Sequence, residues 1–504
     1  MAALNTTLKM DSRTVVDGSL QDSTNKHPAP PNQRRIAANF VTLAGTSALG
    51  LVVTILISIY VRRAIGPVAM GQVSWSLAVI GYLGLIVNPG LTTIGQRHLA
   101  GHPSRGNELV SLLLTLQTVL STVVYILLMG ISAFDFPGPA ISTLLLIQGL
   151  TLFLTSWNTG WVLQAHERMV APSIAALAIN ALQLPVLLLF VHSPSDVNLY
   201  AFLALPFAFA GVIFNFWYIV HHRAIRLKHL RATFSGAHTL LRESWAVGLA
   251  QTAVLIVQNS GIIILGIVRG DDAVGQFATA YRLMMVTTFI TASLWSAFFP
   301  ALSRVAATPE EASQLSRQFL RLLAWIGFPL AALGWACGRH VVELMYGSAF
   351  AESGPYFEWL CLVIALSFVN YGLVAILVPL GRSALQFQIM AIAAAVTLAL
   401  NAVGIPLYGA WGCISALIAG EAVVLGLGLL MRSKQRLLRY PIVPVLAPPL
   451  LCSLGVAAVI TLLPSSYHRF WWLELTIGGL VLLLCLLGFE RGNLQRLVKA
   501  VFSR

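Results

Sequence analysis

Charge is scarce in this chain. Only 10% of its 504 residues are Asp, Glu, Lys or Arg, where a soluble protein carries about 25%. With 57% hydrophobic residues and a mean hydropathy of +0.81, polar side chains are too few to cover a water-soluble fold. Acid is scarcer than base, 18 residues against 31, and the apolar runs of the first 220 residues contain no Asp or Glu. Cysteine is limited to Cys337, Cys361, Cys413, Cys452 and Cys485, an odd total without a CxxC pair. That argues against a disulfide framework or a metal site and reads as small core residues. No P-loop sequence of the form G-x-x-x-x-G-K-S/T occurs, so the chain does not itself hydrolyse a nucleotide through one.

What is present is a series of long apolar runs. They fall at about 38–61, 72–94, 109–132, 139–163, 170–191, 197–220, 245–268, 276–300, 318–338, 356–380, 385–405, 410–431, 441–463 and 471–489. Each is long enough to cross a hydrocarbon core of about 30 Å as a helix. The reading is an all-α polytopic membrane protein of about 14 transmembrane helices, without the alternation of a β-barrel. About 469 residues remain after a polar tail, enough for about 14 to 16 spans and short loops. No extramembrane catalytic domain fits, so an enzyme is not expected. The tail, residues 1–35 ending in PAPPNQRR, has no apolar run directly after its start. It reads as a disordered cytosolic segment and not as a cleaved signal.

The net charge of +13 sorts by side of the membrane. With the N-terminus inside, about 25 Lys and Arg fall on the inner side and about 5 outside (Arg62, Arg63, Arg269, Arg339, Arg469), leaving Arg282 within a span. Both termini are therefore expected in the cytoplasm of a multi-pass inner (plasma) membrane protein, and nucleic acid is not an expected partner. The loop after the sixth run, HHRAIRLKHLRATFSGAHTLLRES, is basic and weakly amphipathic and suits an anionic leaflet of membrane lipids. Its four histidines lack the paired spacing of metal ligands.

An internal repeat is visible. GPVAMGQ (66–72) and GDDAVGQ (270–276) match at Gly66/Gly270, Ala69/Ala273, Gly71/Gly275 and Gln72/Gln276 with one constant offset. Each segment is the outer turn between the first two spans of a six-span block. Two parallel six-helix lobes result, a transporter architecture with the substrate path between them. The expected division is a tail at 1–35, an N-lobe at 36–220, a basic linker at 221–243, a C-lobe at 244–432, and two further helices with a cytoplasmic tail at 433–504.

Five stretches carry a family resemblance: YVRRAIGPVAMGQVSWSL, ILGIVRGDDAVGQFATAYRL, FFPALSRVA, LMYGSAF and NAVGIPLYGAWGCISALIAGEAV. In order and placement they resemble the Wzx-type O-antigen and exopolysaccharide flippases of the multidrug/oligosaccharidyl-lipid/polysaccharide exporter superfamily, over about residues 38–432. Met70, Trp411 and Cys413 depart from the usual pattern. The resemblance implies a MATE-like fold and no cofactor. It implies that a polyprenyl-pyrophosphate-linked oligosaccharide is flipped from the cytoplasmic to the outer leaflet by alternating access, driven by an ion gradient of H+ or Na+. A polysaccharide polymerase and chain-length proteins would be its partners. Three alternatives stay open: a multidrug exporter of the same fold, disfavoured by the acid-free first six spans; a flippase for lipid-linked peptidoglycan precursor; and a polymerase or ligase, disfavoured by short outer loops.

Few residues invite a role. Arg282 lies about 10 Å along a helix from Gly275, where a charge is costly unless it pairs or faces water. It could grip a pyrophosphate or lock two helices together. Arg63, at the outer end of the first span, could contact substrate or snorkel. Glu421, mid-span, could be a protonatable coupling group or pair with a base. Gln258 and Asn259, beside Tyr281, suit sugar hydroxyls and faces, or hydrogen bonds between helices. Gly66, Gly71, Gly270, Gly275 and Gly409 read as tight turns. Pro89-Gly90, Pro329, Pro379 and Pro406 are candidate kinks or hinges.

Overall fold

A computed structural model of the chain describes residues 33–134, 138–222, 224–435, 440–462, 476 and 478–481. The expected tail over residues 1–32, most of the fourteenth span and the C-terminal tail lie outside the described residues. Residues up to Thr42 separate as a unit of their own, of which only the first turns of α1 are described. The second unit starts at Leu43 and holds the helix bundle.

Among the described residues the chain is helical and contains no strand. The first half comprises α1 (Gln33–Val87), α2 (Leu91–Gly101), α3 (Gly106–Ser132), α4 (Pro139–Gly149), α5 (Thr151–Trp157), α6 (Gly160–Ala165), α7 (Val170–Phe190) and α8 (Val197–His221). The second comprises α9 (Ala237–Arg269), α10 (Asp271–Val286), α11 (Thr288–Val305), α12 (Pro309–Tyr346), α13 (Ser353–Val374), α14 (Ser383–Tyr408) and α15 (Ala410–Gln435), followed by α16 (Val443–Leu462). Twelve of the described helical stretches are long and apolar enough to cross a membrane. At 55 residues α1 would be about 80 Å long as one rod, far more than a bilayer needs. Its helix is broken at Gly66 (φ 76°, ψ 177°), so it makes two crossings. The first thirteen apolar runs thus all appear as helix.

Three crossings are interrupted, the eighth of them at Thr287 between α10 and α11. The second stops at Val87 and restarts at Leu91, and the Asn88 side chain caps the restart by accepting the Thr92 backbone N–H at 3.2 Å. The fourth is cut into α4, α5 and α6; Asn158 Oδ1 accepts from the Gly160 N–H at 2.9 Å and from Asn215 Nδ2 at 3.2 Å. Of the other prolines flagged by sequence, Pro329 and Pro406 lie inside continuous helices, and Pro379 lies in the turn after α13.

One seam joins the halves along its whole length. The second crossing runs antiparallel to α9: Trp75 Nε1 donates to the Ile263 carbonyl at 3.1 Å and the Tyr82 hydroxyl to the Leu255 carbonyl at 3.1 Å. Gly90 meets the Val247 side chain, and His98 pairs with Glu243 at 2.6 Å. The partners' numbers fall along one helix as they rise along the other. The end carrying Gly66 and Gly270 is termed the turn end, and the end carrying His98 and Glu243 the linker end.

Candidate functional site

At the turn end the repeat becomes geometry. Gly66 (φ 76°, ψ 177°) and Gly270 (φ 83°, ψ −176°) share one backbone conformation, which only glycine adopts readily. Each starts a helix that crosses the other at a glycine. A Cβ on Gly71 would overlap the Asp271 carbonyl oxygen, and one on Gly275 would overlap the Pro67 carbonyl oxygen. The contact is reciprocal, as a two-fold relation between repeats requires. Gln72 Nε2 reinforces it by donating to Asp271 Oδ2 at 2.9 Å. Gln276 ties the same corner to the next turn, receiving the Ser353 hydroxyl at 2.8 Å and donating to the Ala349 carbonyl at 2.8 Å.

Two arginines tie off helix ends beside this crossing. Arg63 Nε donates to the Met345 carbonyl at 2.9 Å and Nη2 donates to the Leu344 carbonyl, both in the last turn of α12. Arg269 Nη2 donates to the Pro406 carbonyl at 2.9 Å, with Gly409 (φ 59°) beside it. Carbonyls at a helix C-terminus lack intrahelical donors, and a guanidinium answers both that and the negative end of the dipole. Arg63→Ala is therefore expected to lower the melting temperature of the solubilised protein slightly, for a cost of about 1 kcal/mol or less. Substrate affinity should hold. A loss of affinity at unchanged melting temperature would place Arg63 in the binding site.

Arg62, one residue earlier, points the other way. It is 5% exposed, donates to Thr279 Oγ1 at 3.0 Å and to the Ser58 hydroxyl, and lies over the Tyr346 ring at 5.4 Å. Arg282 and Tyr200 are within electrostatic range of it. Arg282 is exposed and makes no ion pair among the described residues, nor does Arg62. Two guanidiniums, one from each half, thus lie within electrostatic range of each other, and neither pairs with a carboxylate among the described residues. Such an arrangement is costly unless an anion completes it.

A cavity of about 540 Å³ lies within the second half. Tyr281, Gln258, Ser367, Asn370, Thr397 and Glu421 are among its lining residues, from α9, α10, α13, α14 and α15. Glu421 receives the Ser367 hydroxyl at 2.7 Å on Oε1 and Asn370 Nδ2 at 2.5 Å on Oε2. No cation pairs with it among the described residues, so the expected alternative of a basic partner is not what is found. Asn370 Oδ1 and Thr397 Oγ1 are buried without a hydrogen-bond partner, and Thr397 Oγ1 packs against Gly420, the neighbour of Glu421. The wall therefore carries one carboxylate and two unanswered oxygens.

The structure brings Gln258, Tyr281 and Glu421 to one cavity and leaves Arg282 outside its lining. Asn259 lies near Gly81 of the second crossing, outside that lining. Sequence reasoning singles out Arg63 and passes over Arg62. The signal available is the Arg62-Arg63 pair itself. Successive helix positions point about 100° apart, so only one of two neighbours can face a given partner.

Comparison with known proteins agrees with this fold. The chain is 24% identical over 377 residues to a provisionally named O-antigen transporter of Shigella dysenteriae, covering 72% of this chain and 92% of that one. A similarly named protein of Escherichia coli K12 is 19% identical over 54% of this chain and 66% of its own length. Among solved structures, the lipid II flippase MurJ in an inward closed conformation superposes with a TM-score of 0.70 at 12% identity, covering 91% of this chain and 100% of that one. An inward-facing multidrug resistance MATE transporter reaches 0.61 at 14% identity over 77% and 95%. A family model described as polysaccharide biosynthesis protein matches residues 61–355, from Val61 beside the arginine pair through both glycine turns. The chain belongs to the polysaccharide biosynthesis protein family, built on the MurJ and MATE fold.

Proposed function

We propose that this multi-pass membrane protein moves a polyprenyl-pyrophosphate-linked oligosaccharide from the cytoplasmic to the outer leaflet. The observation that carries the reading is the pair Arg62 and Arg282: two uncompensated guanidiniums, one per half, within an apolar helix bundle. A pyrophosphate supplies the missing anion, and a guanidinium fork binds its oxygens bidentately. O-antigen transporters among the relatives point to the same substrate class. The linker end is the cytoplasmic side, with both termini on it, because it collects most Lys and Arg. The membrane is then the inner (plasma) membrane. The path runs between the two lobes, which alternate between closure at the turn end and closure at the linker end.

Glu421 is the proposed coupling group. Its cavity offers a carboxylate with Asn370 Oδ1 and Thr397 Oγ1 unanswered nearby, which suits a proton or a sodium ion. Glu421→Gln keeps the size of the side chain and removes its titration; its amide oxygen can still accept from Asn370, and the Ser367 hydroxyl turns to accept from its NH2. The variant is expected to lose the dependence of transport on pH or on sodium. An unaltered dependence would leave Glu421 with a structural part only.

A deletion strain tests the whole reading. Surface polysaccharide should disappear while lipid-linked oligosaccharide accumulates on the cytoplasmic side. Persistence of the polysaccharide without accumulation would sink the assignment. Viability without the gene separates this substrate from a lipid-linked peptidoglycan precursor, which shares the pyrophosphate.

A further inference from the structure

A second concavity lies within the first half. It measures about 660 Å³, and its wall is formed by Leu114 of α3, Trp157 of α5 and a face of α8 ending at His221. Phe209, Ile213 and Trp217 stand at four-residue spacing along α8 and are 44%, 52% and 55% exposed. The only polar group Trp157 offers, its indole N–H, is already donated to Thr118 Oγ1 at 3.0 Å. Apart from His221 at one end, the wall offers hydrocarbon. At the linker end the apolar wall closes with an aromatic ladder, Trp217 stacked on His221 at 5.2 Å.

The basic linker packs against the same helix, α3. The linker strand is hung on α3 by three backbone N–H groups: Arg226 to Asn107 Oδ1 at 2.8 Å, Arg231 to Ser111 Oγ at 3.2 Å and Thr233 to Thr115 Oγ1 at 3.2 Å. Asn107, Ser111 and Thr115 stand four residues apart on one face of α3. Leu114 of the groove wall lies within the same stretch of α3, next to Thr115. Arg226, Lys228 and Arg231 are exposed there, and none pairs with a carboxylate among the described residues.

An apolar trough topped by unpaired cations matches one kind of molecule in a bilayer. We propose that the groove between α3, α5 and α8 holds a hydrocarbon chain of an anionic phospholipid of the cytoplasmic leaflet, with its phosphate against Arg226, Lys228 and Arg231. The lipid clamps the linker onto α3. Apolar area fixes the chain in the trough, and charge near the surface selects the headgroup.

Native mass spectrometry of the delipidated full-length protein tests this, with phosphatidylglycerol and phosphatidylcholine as probes. Phosphatidylglycerol should be retained at least about ten-fold more strongly, given three cations at the headgroup. Ile213→Trp, which fills the trough, should reduce retention of both lipids. The triple variant Arg226→Gln, Lys228→Gln, Arg231→Gln changes only exposed side chains, and should keep chain binding while losing the preference. Equal retention of the two lipids by the unaltered protein would overturn the proposal, as would a preference that survives the triple variant. Undecaprenyl phosphate serves as competitor: complete displacement of phosphatidylglycerol at equimolar amount would assign the groove to the transported lipid and overturn the phospholipid reading.

Discussion

Arg282→Ala is expected to reach the membrane in normal amount and to lose transport, and Arg62→Ala to behave alike. A hydrogen-bonded charge removed from an anion site costs about 1.5–3 kcal/mol, or about 10- to 150-fold in affinity. In the proposed reading two such groups meet one anion, and neither pairs with a carboxylate among the described residues. Lysine at either position keeps the charge and loses the fork, so it should restore only part of the activity. Arg62 also fills space between Ser58, Thr279 and Tyr346, and its alanine variant leaves a hole there. Arg282 is exposed, so its alanine variant carries no such packing loss and is the cleaner measurement. The readout is lipid-linked oligosaccharide accumulating in cells whose membranes contain the variant at wild-type level. A fully active Arg282→Ala would remove this residue from the mechanism.

The second large effect concerns the crossing at the turn end. Gly71→Ala and Gly275→Ala each place a methyl group on a backbone carbonyl, Asp271 in one case and Pro67 in the other. Backbone cannot rotate away as a side chain can, so the helices must separate. Overpacking of this kind costs about 1–3 kcal/mol, enough to shift a population of closed molecules by about 5- to 150-fold. Both variants should hold the turn end apart, raising thiol labelling of cysteines introduced there and stopping transport. Gly50→Ala is the control, since nothing lies within 4 Å of a Cβ at that position. If Gly275→Ala transported normally, closure of this crossing would have no part in the cycle.

Much of the architecture is legible in the order of residues alone. A crossing helix needs only a long enough apolar run, and thirteen of the runs appear as helix where expected. The glycine turns are legible too, because Gly66 and Gly270 sit in matching heptapeptides and both adopt positive φ. The long α1 shows why boundaries are harder: Pro67 comes directly after Gly66, and helix resumes with no intervening loop. The cut in the fourth crossing has no such signature. Its apolar run continues through Trp157 and Trp161, and the break rests on Asn158 accepting from Gly160 and Asn215, a contact with a distant helix.

The site is legible in its residue types and not in its pairings. Rarity of charge at membrane depth singles out Arg282 and Glu421; Arg282 lies within electrostatic range of Arg62, and Glu421 lines the cavity of the second half. Arg63 draws the same attention in sequence and caps α12, while the buried guanidinium is Arg62. Glu421 admits two readings from sequence, and its neighbours are Ser367 and Asn370.

The amino-acid sequence by itself determined where the apolar crossings fall, the repeat and its turns. Each depends on run length or on a glycine that takes a positive φ. Only the tertiary structure decided which way each crossing faces. In water a helix shows its buried side by polarity, but a membrane helix is apolar toward both lipid and neighbours. Arg62 and Arg63 are equal in sequence; the packing of α1 against α10 and α12 makes one a buried guanidinium and the other a cap. The scarcity of charge thus named the few positions worth asking about, and the crossing of two glycine turns fixed what each of them meets.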